Sequence, residues 1–197
     1  MKKVINKILI GLSGTLAFMA ILTLLSEGKG KSKTWEKGDP SSLKKVLIIY
    51  DPDFFYNLDQ QVCEGFGKAL ADSGWHVTFA TVAAASKLKI DNFILYVFCA
   101  NTYYWSPDWA ITGFIKKNIV LKDKNVVAIT VGGSDTKRAK RILEDIIKEN
   151  GGILVGSETY WLLKPNDESR MKESNIKIAV EMAEKFGGEI IEKIKLY

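Results

Sequence analysis

The chain has 197 residues, 47% of them hydrophobic and 26% charged, which fits one globular domain plus some extra length. The formal net charge is +5, yet residues 1–43 carry seven Lys against three acids, while residues 44–197 hold 21 basic and 20 acidic residues. The folded part is therefore close to neutral, which argues against a nucleic-acid partner. A single His and two Cys outside any metal-ligand spacing argue against a structural zinc site, and Cys63 and Cys99 read as small buried apolar residues.

The first element is "ILIGLSGTLAFMAILTLLS", 19 residues (8–26) without a charge. At roughly 1.5 Å per residue it just crosses a hydrocarbon core of about 30 Å. It exceeds the usual apolar length of a cleaved signal, and "TLLSEG" has no small-x-small cleavage site, so residues 1–26 read as an uncleaved single-pass membrane anchor. Membrane lipid is then a partner. Lys2, Lys3 and Lys7 on one flank nearly balance Lys29, Lys31, Lys33 and Lys37 on the other, so the positive-inside rule gives no side for the domain. Residues 27–43, "EGKGKSKTWEKGDPSSL", read as a flexible basic linker.

From 44 onward, strand and helix signals alternate. "VLIIY" (46–50) is a short apolar run. "LDQQVCEGFGKALADSG" (58–74) has helical spacing and Gly74 as its stop. Strands follow at 76–82 and 93–100, with only a weak helical stretch between them. A helix at 107–118 starts on Pro107, a favoured first helical residue. A strand at 125–131, a helix at 135–151, a strand within 152–162 and a helix at 168–188 complete the chain. Continuous apolar runs suit strands covered on both faces. The expected fold is α/β: a three-layer, doubly wound, five-stranded parallel sheet over 44–197, preceded by one transmembrane helix.

Ligands of such sheets bind outside the carboxyl ends of the strands. Three connections lie there. "DPDFFYN" (51–57) has two acids and no Gly, Ser, Thr or Lys. "NTYYWSPDW" (101–109) gathers Tyr103, Tyr104, Trp105 and Trp109, either to stack on a planar ring or to cover the sheet's own edge. "GGSDT" (132–136) can turn backbone N–H groups outward, with Ser134 or Asp135 as a helix cap. A serine hydrolase is disfavoured: there is no G-x-S-x-G, and His76 opens a strand, away from this end.

The order of these elements, with "KKVLIIYDPDFFYNLDQQVCEGFGKAL", "DNFILYVFCANTYYWSPDWAITGFIKK", "LKDKNVVAITVGGSD" and "GGILVGSETY", resembles the flavodoxin-like family, flavodoxins and NAD(P)H-dependent FMN or quinone reductases included. The resemblance covers nearly all of 44–197. It implies FMN as cofactor, electron or hydride transfer as activity and a redox partner. It also implies a ring site at Asn101, Thr102, Tyr103, Tyr104, Trp105, Ser106, Gly132 and Gly133. Tyr103, Ser106 and Pro107 fall on family positions, Asn101 replaces a Pro, and Tyr104-Trp105 replace Trp-Gly. The first loop departs most, because the family holds the phosphate there with hydroxyls and N–H groups. One carboxylate about 4 Å from a phosphate charge costs roughly 4 kcal/mol at an effective dielectric near 20. Asp51 and Asp53 therefore suggest a second expectation: a fold that has lost FMN and serves as a membrane-tethered binding or assembly module. Asn57 or Asp59 is expected to cap the helix that follows.

Overall fold

The apolar runs lie side by side as strands, as their two-faced burial requires. The computed structural model describes residues 30–53 and 56–195, with 11, 13–15, 17, 18 and 21. Most of the expected anchor (8–26) lies outside the described residues, among which no helix is long and apolar enough to cross a membrane.

The elements are β1 (Thr34–Gly38), β2 (Lys45–Tyr50), α1 (Leu58–Asp72), β3 (His76–Thr81), α2 (Val82–Ala85), β4 (Leu95–Tyr103), β5 (Ser106–Pro107), α3 (Trp109–Lys117), β6 (Asn125–Gly132), α4 (Lys137–Glu149), β7 (Ile153–Trp161), a 3₁₀ turn (Glu168–Arg170) and α5 (Asn175–Lys195). The sheet order is β1-β3-β2-β4-β6-β7. The five strands from β3 to β7 are parallel, and β1 and β5 pair antiparallel with β3 and β4. Alternation along β2 feeds two cores. Val46, Ile48 and Tyr50 meet α1 and α5, while Leu47 and Ile49 meet α2, α3 and α4. A buried side chain of this size contributes about 1.5–3 kcal/mol, so a register slip of one residue is heavily disfavoured.

Four expectations need correction. The sheet has more than five strands, because part of the expected linker is a strand. Trp35 of β1 stacks on Phe79 with centroids 4.9 Å apart and meets Tyr50 edge-on at 6.0 Å, so burying an indole outweighs the flexible composition around it. Pro107 does not open α3, since it pairs with Thr102 in β5, and Asp108 is the N-cap. The last helix begins at Asn175, behind a loop pinned by Asn166 and Asn175. It also runs through Gly187, where a Cβ would come within 2.6 Å of the Phe66 carbonyl oxygen. This glycine lets α5 approach α1, and the helix continues past the expected end at 188 to Lys195.

Candidate functional site

At the carboxyl ends of the parallel strands, the first loop is folded in on acids. Asp51 is 3% exposed and Asp59 1%. Asp51 accepts the Gly30 N–H through Oδ1 at 3.3 Å, and its carbonyl oxygen accepts the Asn101 side-chain amide at 2.8 Å. Asp53 accepts the Tyr103 hydroxyl at 2.5 Å. Asp59, second residue of α1, turns its carboxylate back into the loop. There it accepts the Asp53 N–H at 3.2 Å, the Asn101 amide at 3.4 Å and the backbone N–H of Gln60. Neither Asn57 nor Asp59 caps α1 as expected, because Asn57 makes no cap bond and its side chain accepts from Gln61 at 2.6 Å.

Burial pushes the Asp59 carboxyl up to about 7, against the opposing pull of its hydrogen bonds, and the nearby charge of Asp53 raises it further. Its Oδ1 and the Asn101 Oδ1 are buried without a protein partner, an arrangement that costs less when Asp59 carries a proton. Tyr103 is driven well above the ordinary phenol range, by burial first and by Asp53 second. Chemically, the described part of this loop presents acceptors, and the Asp53 and Gln60 N–H groups already serve an internal carboxylate.

The second connection is open. Tyr103 pairs with Ser106, leaving Tyr104 and Trp105 as a two-residue turn with φ of 49° and 60°. Such turns favour Asn-Gly; an L-residue with a side chain pays about 1–2 kcal/mol in this conformation. Both rings stand in solvent, 55% and 64% exposed, as does Trp109 at 60%. Asp108 fixes the base of the turn. Its carboxylate accepts the N–H groups of Asn101 and Ile111, each at 2.8 Å, and its own N–H donates to the Asn101 carbonyl at 2.9 Å.

The third connection faces the second. Gly132 leaves no room for a side chain, since a Cβ there would lie 2.8 Å from Thr136 Cγ2 and 3.1 Å from Thr102 Cβ. Asp135 accepts the Lys137 N–H at 3.0 Å, as a residue guarding the start of α4. The Thr136 hydroxyl pairs with that of Thr159 and accepts the Trp161 indole N–H at 3.2 Å.

Between these connections lies a cleft of about 300 Å³ lined by Thr102, Tyr104, Trp105, Gly133, Ser134, Asp135 and Thr136. Thr102 has a buried hydroxyl with no partner among the described residues. Of the expected ring-site residues, Thr102, Tyr104, Trp105 and Gly133 line the cleft. Asn101 and Tyr103 turn to the first loop, Ser106 closes the hairpin and Gly132 lies packed beneath. Sequence reasoning missed the inward turn of Asp59, which its bonds to the Asp53 N–H and to Asn101, 42 residues on, reveal. A larger groove of about 710 Å³ lies along β7 and α5, away from these loops. Its Arg170 is already paired with Glu173 and Glu181, so its size does not make it the better site. Among the described residues no cluster of His, Cys, Asp and Glu could hold a metal ion, and Cys63 and Cys99 are buried and free.

The parallel order β3-β2-β4-β6-β7, covered by helices on both faces, defines a flavodoxin-like fold. Solved structures agree on that fold. A flavodoxin from the domain Archaea superposes with a TM-score of 0.58 at 14% identity, over 77% of this chain and 99% of that one. Flavodoxin 2 from Bacillus cereus gives 0.58 at 20% identity, over 76% and 99%. Rubredoxin oxygen:oxidoreductase from Desulfovibrio gigas gives 0.55 at 14% identity, over 80% of this chain and 38% of that one. No protein-family model matches the chain, and no curated protein matches it.

Proposed function

We propose that this chain is a membrane-anchored flavodoxin-fold protein that holds a flavin by its ring in the cleft beside Tyr104 and Trp105, for electron or hydride transfer. The observation that carries the reading is the cleft itself. It brings Thr102, whose buried hydroxyl has no partner among the described residues, beside two exposed rings held in a costly backbone conformation, outside the carboxyl ends of β4 and β6, the edge along which such sheets bind ligands. Its volume is at the lower end of the roughly 300–1,000 Å³ common for small-molecule sites, enough for a flat ring lying open on one side. When bound, a flavin supplies the redox chemistry, and the protein side chains orient the ring. Apolar segment 8–26 supports the anchor.

The phosphate half of FMN does not fit the first loop. The N–H groups of Asp53 and Gln60, which an anion at the start of α1 would need, are taken by the Asp59 carboxylate. A phosphate forced there meets acids, at a cost of roughly 4 kcal/mol per close pair, or about three orders of magnitude in affinity. The same internal carboxylate favours a second reading, a cofactor-free binding or assembly module that uses the exposed aromatics as its contact patch.

Titrating the full chain in detergent with riboflavin and with FMN, and following flavin fluorescence, separates the two. Riboflavin binding at least as tightly as FMN, with both weakened by Trp105→Gly or Thr102→Val, is expected. FMN binding far more tightly than riboflavin refutes the ring-only grip. No binding of either at tens of micromolar leaves the cofactor-free module.

A further inference from the structure

We propose that the carboxyl-end face of the domain, with Tyr104, Trp105 and Trp109 at its rim, lies against the lipid surface; this rests on reading residues 8–26 as a membrane anchor. The register of β1 fixes where the chain enters the fold. Thr34 lies opposite Ala80 and Gly38 opposite His76, so β1 begins at the carboxyl end of the parallel strands and runs away from it. The residues before it are fastened at the same end. Gly30 donates to Asp51 at 3.3 Å, and the Thr81 hydroxyl donates to the Lys31 carbonyl at 2.9 Å and accepts the Lys33 N–H at 3.1 Å. The Thr81 N–H also donates to the Lys33 carbonyl at 3.0 Å.

The tether is consequently short. The apolar segment ends at Ser26 and the fastened chain begins at Gly30. Even fully extended, the connection reaches only about 14 Å. A 17-residue flexible linker would leave the domain free to tumble; this one holds the Asp51 end of the sheet near the headgroups.

The side chains at that end suit the headgroup layer. The exposed aromatics Tyr104, Trp105 and Trp109, at 55%, 64% and 60%, all follow the carboxyl end of β4. Tyr and Trp are the residues that concentrate at membrane–water interfaces, with an apolar body and a polar tip. Leu163, 78% exposed, follows the carboxyl end of β7 and comes within 3.9 Å of the position a Cβ on Gly133 would take. The opposite end also exposes apolar residues, Leu43, Val120 and Ile153, but these are aliphatic and carry no tether. The tether, more than hydrophobicity alone, selects which end meets the lipid.

The test uses the full chain reconstituted into phosphatidylcholine vesicles containing a lipid brominated high on its acyl chain, with tryptophan fluorescence as readout. Flotation comes first. A chain that does not float with the vesicles overturns both the anchor and the docking. In the floating wild type, brominated lipid is expected to quench the emission, and most of that quenching should vanish in the W105F/W109F variant. Adding V120W to that variant puts an indole on the opposite end, and its emission should escape quenching. A floating chain whose Trp105 and Trp109 are no more quenched than V120W overturns the docking and leaves the anchor standing.

Discussion

Two connections sit side by side at the same end of the sheet, and they have been built in opposite ways. The 51–57 loop is closed. Asp51 is buried and Asp53 half-buried, the Asp53 N–H is taken by Asp59, and the chain at Gly30 bonds to Asp51. The 102–106 hairpin is open, with Tyr104 and Trp105 more than half exposed on a left-handed backbone turn. On the proposed reading, the open hairpin serves the ring half of a flavin while the first loop serves the structure. Asn101 and Tyr103 weld the two halves together, reaching from β4 to Asp51, Asp59 and Asp53. Asn101 and the acids at 51 and 59 thus form one physical feature, since the Asn101 side-chain amide donates to the Asp51 carbonyl and the Asp59 carboxylate.

Substitutions on each side should separate the closed region from the open one. Asp108→Ala has the largest expected effect. It removes the cap of α3 and leaves the buried N–H of Asn101 without its acceptor, at about 3 kcal/mol, read as a lower urea midpoint at unchanged slope.

Asp59→Asn comes next, and its effect depends on pH. The folded-state pKa of about 7 is above the ordinary aspartate value of roughly 4, so the folded state holds the proton more tightly. This group's contribution is most favourable below about pH 4 and is lost as pH rises to about 7, after which it is flat. The difference between wild type and Asp59→Asn should follow that slope, the variant gaining by ~2 kcal/mol, and at most roughly 4, at pH 8. Wild type and variant running parallel from pH 4 to 8 would mean that Asp59 is not the buried acid of the closed loop.

Tyr103→Phe cuts one weld and takes a hydroxyl from Asp53, costing ~1 kcal/mol by urea unfolding. The smallest effect has the opposite sign. Trp105→Gly relieves the left-handed turn and should raise stability by ~1 kcal/mol while weakening flavin binding. A destabilised Trp105→Gly would show that the open hairpin, like the closed loop, is structural.

Much of this could be read along the chain. Apolar runs such as 46–50 and 125–131 announced strands buried on both faces, and the spacing in 58–74 announced α1, found at Leu58–Asp72. The aromatic hairpin and the Gly-Gly exit were visible as unusual loops, and Thr102, Tyr104, Trp105 and Gly133 do line one cleft. The closed loop was legible only as a list of wrong residues. Its organisation depends on partners 21, 42 and 50 positions apart, and no local rule pairs Gly30 with Asp51, Asn101 with Asp59 or Tyr103 with Asp53. The bounds of the last helix, expected at 168–188 and found at Asn175–Lys195, were missed for the same reason: that Gly187 admits a neighbouring helix is visible only when the neighbour is present.

By itself, then, the sequence determined the layers, because periods of two and 3.6 residues decide which side chains leave water, and burial dominates the energy. Tertiary structure decided the site. Which acid turns inward, which ring is held in a strained turn and which end of the sheet the N-terminal segment enters are outcomes of long-range hydrogen bonds and close contacts. These exist only once β2, β4 and α1 have come together.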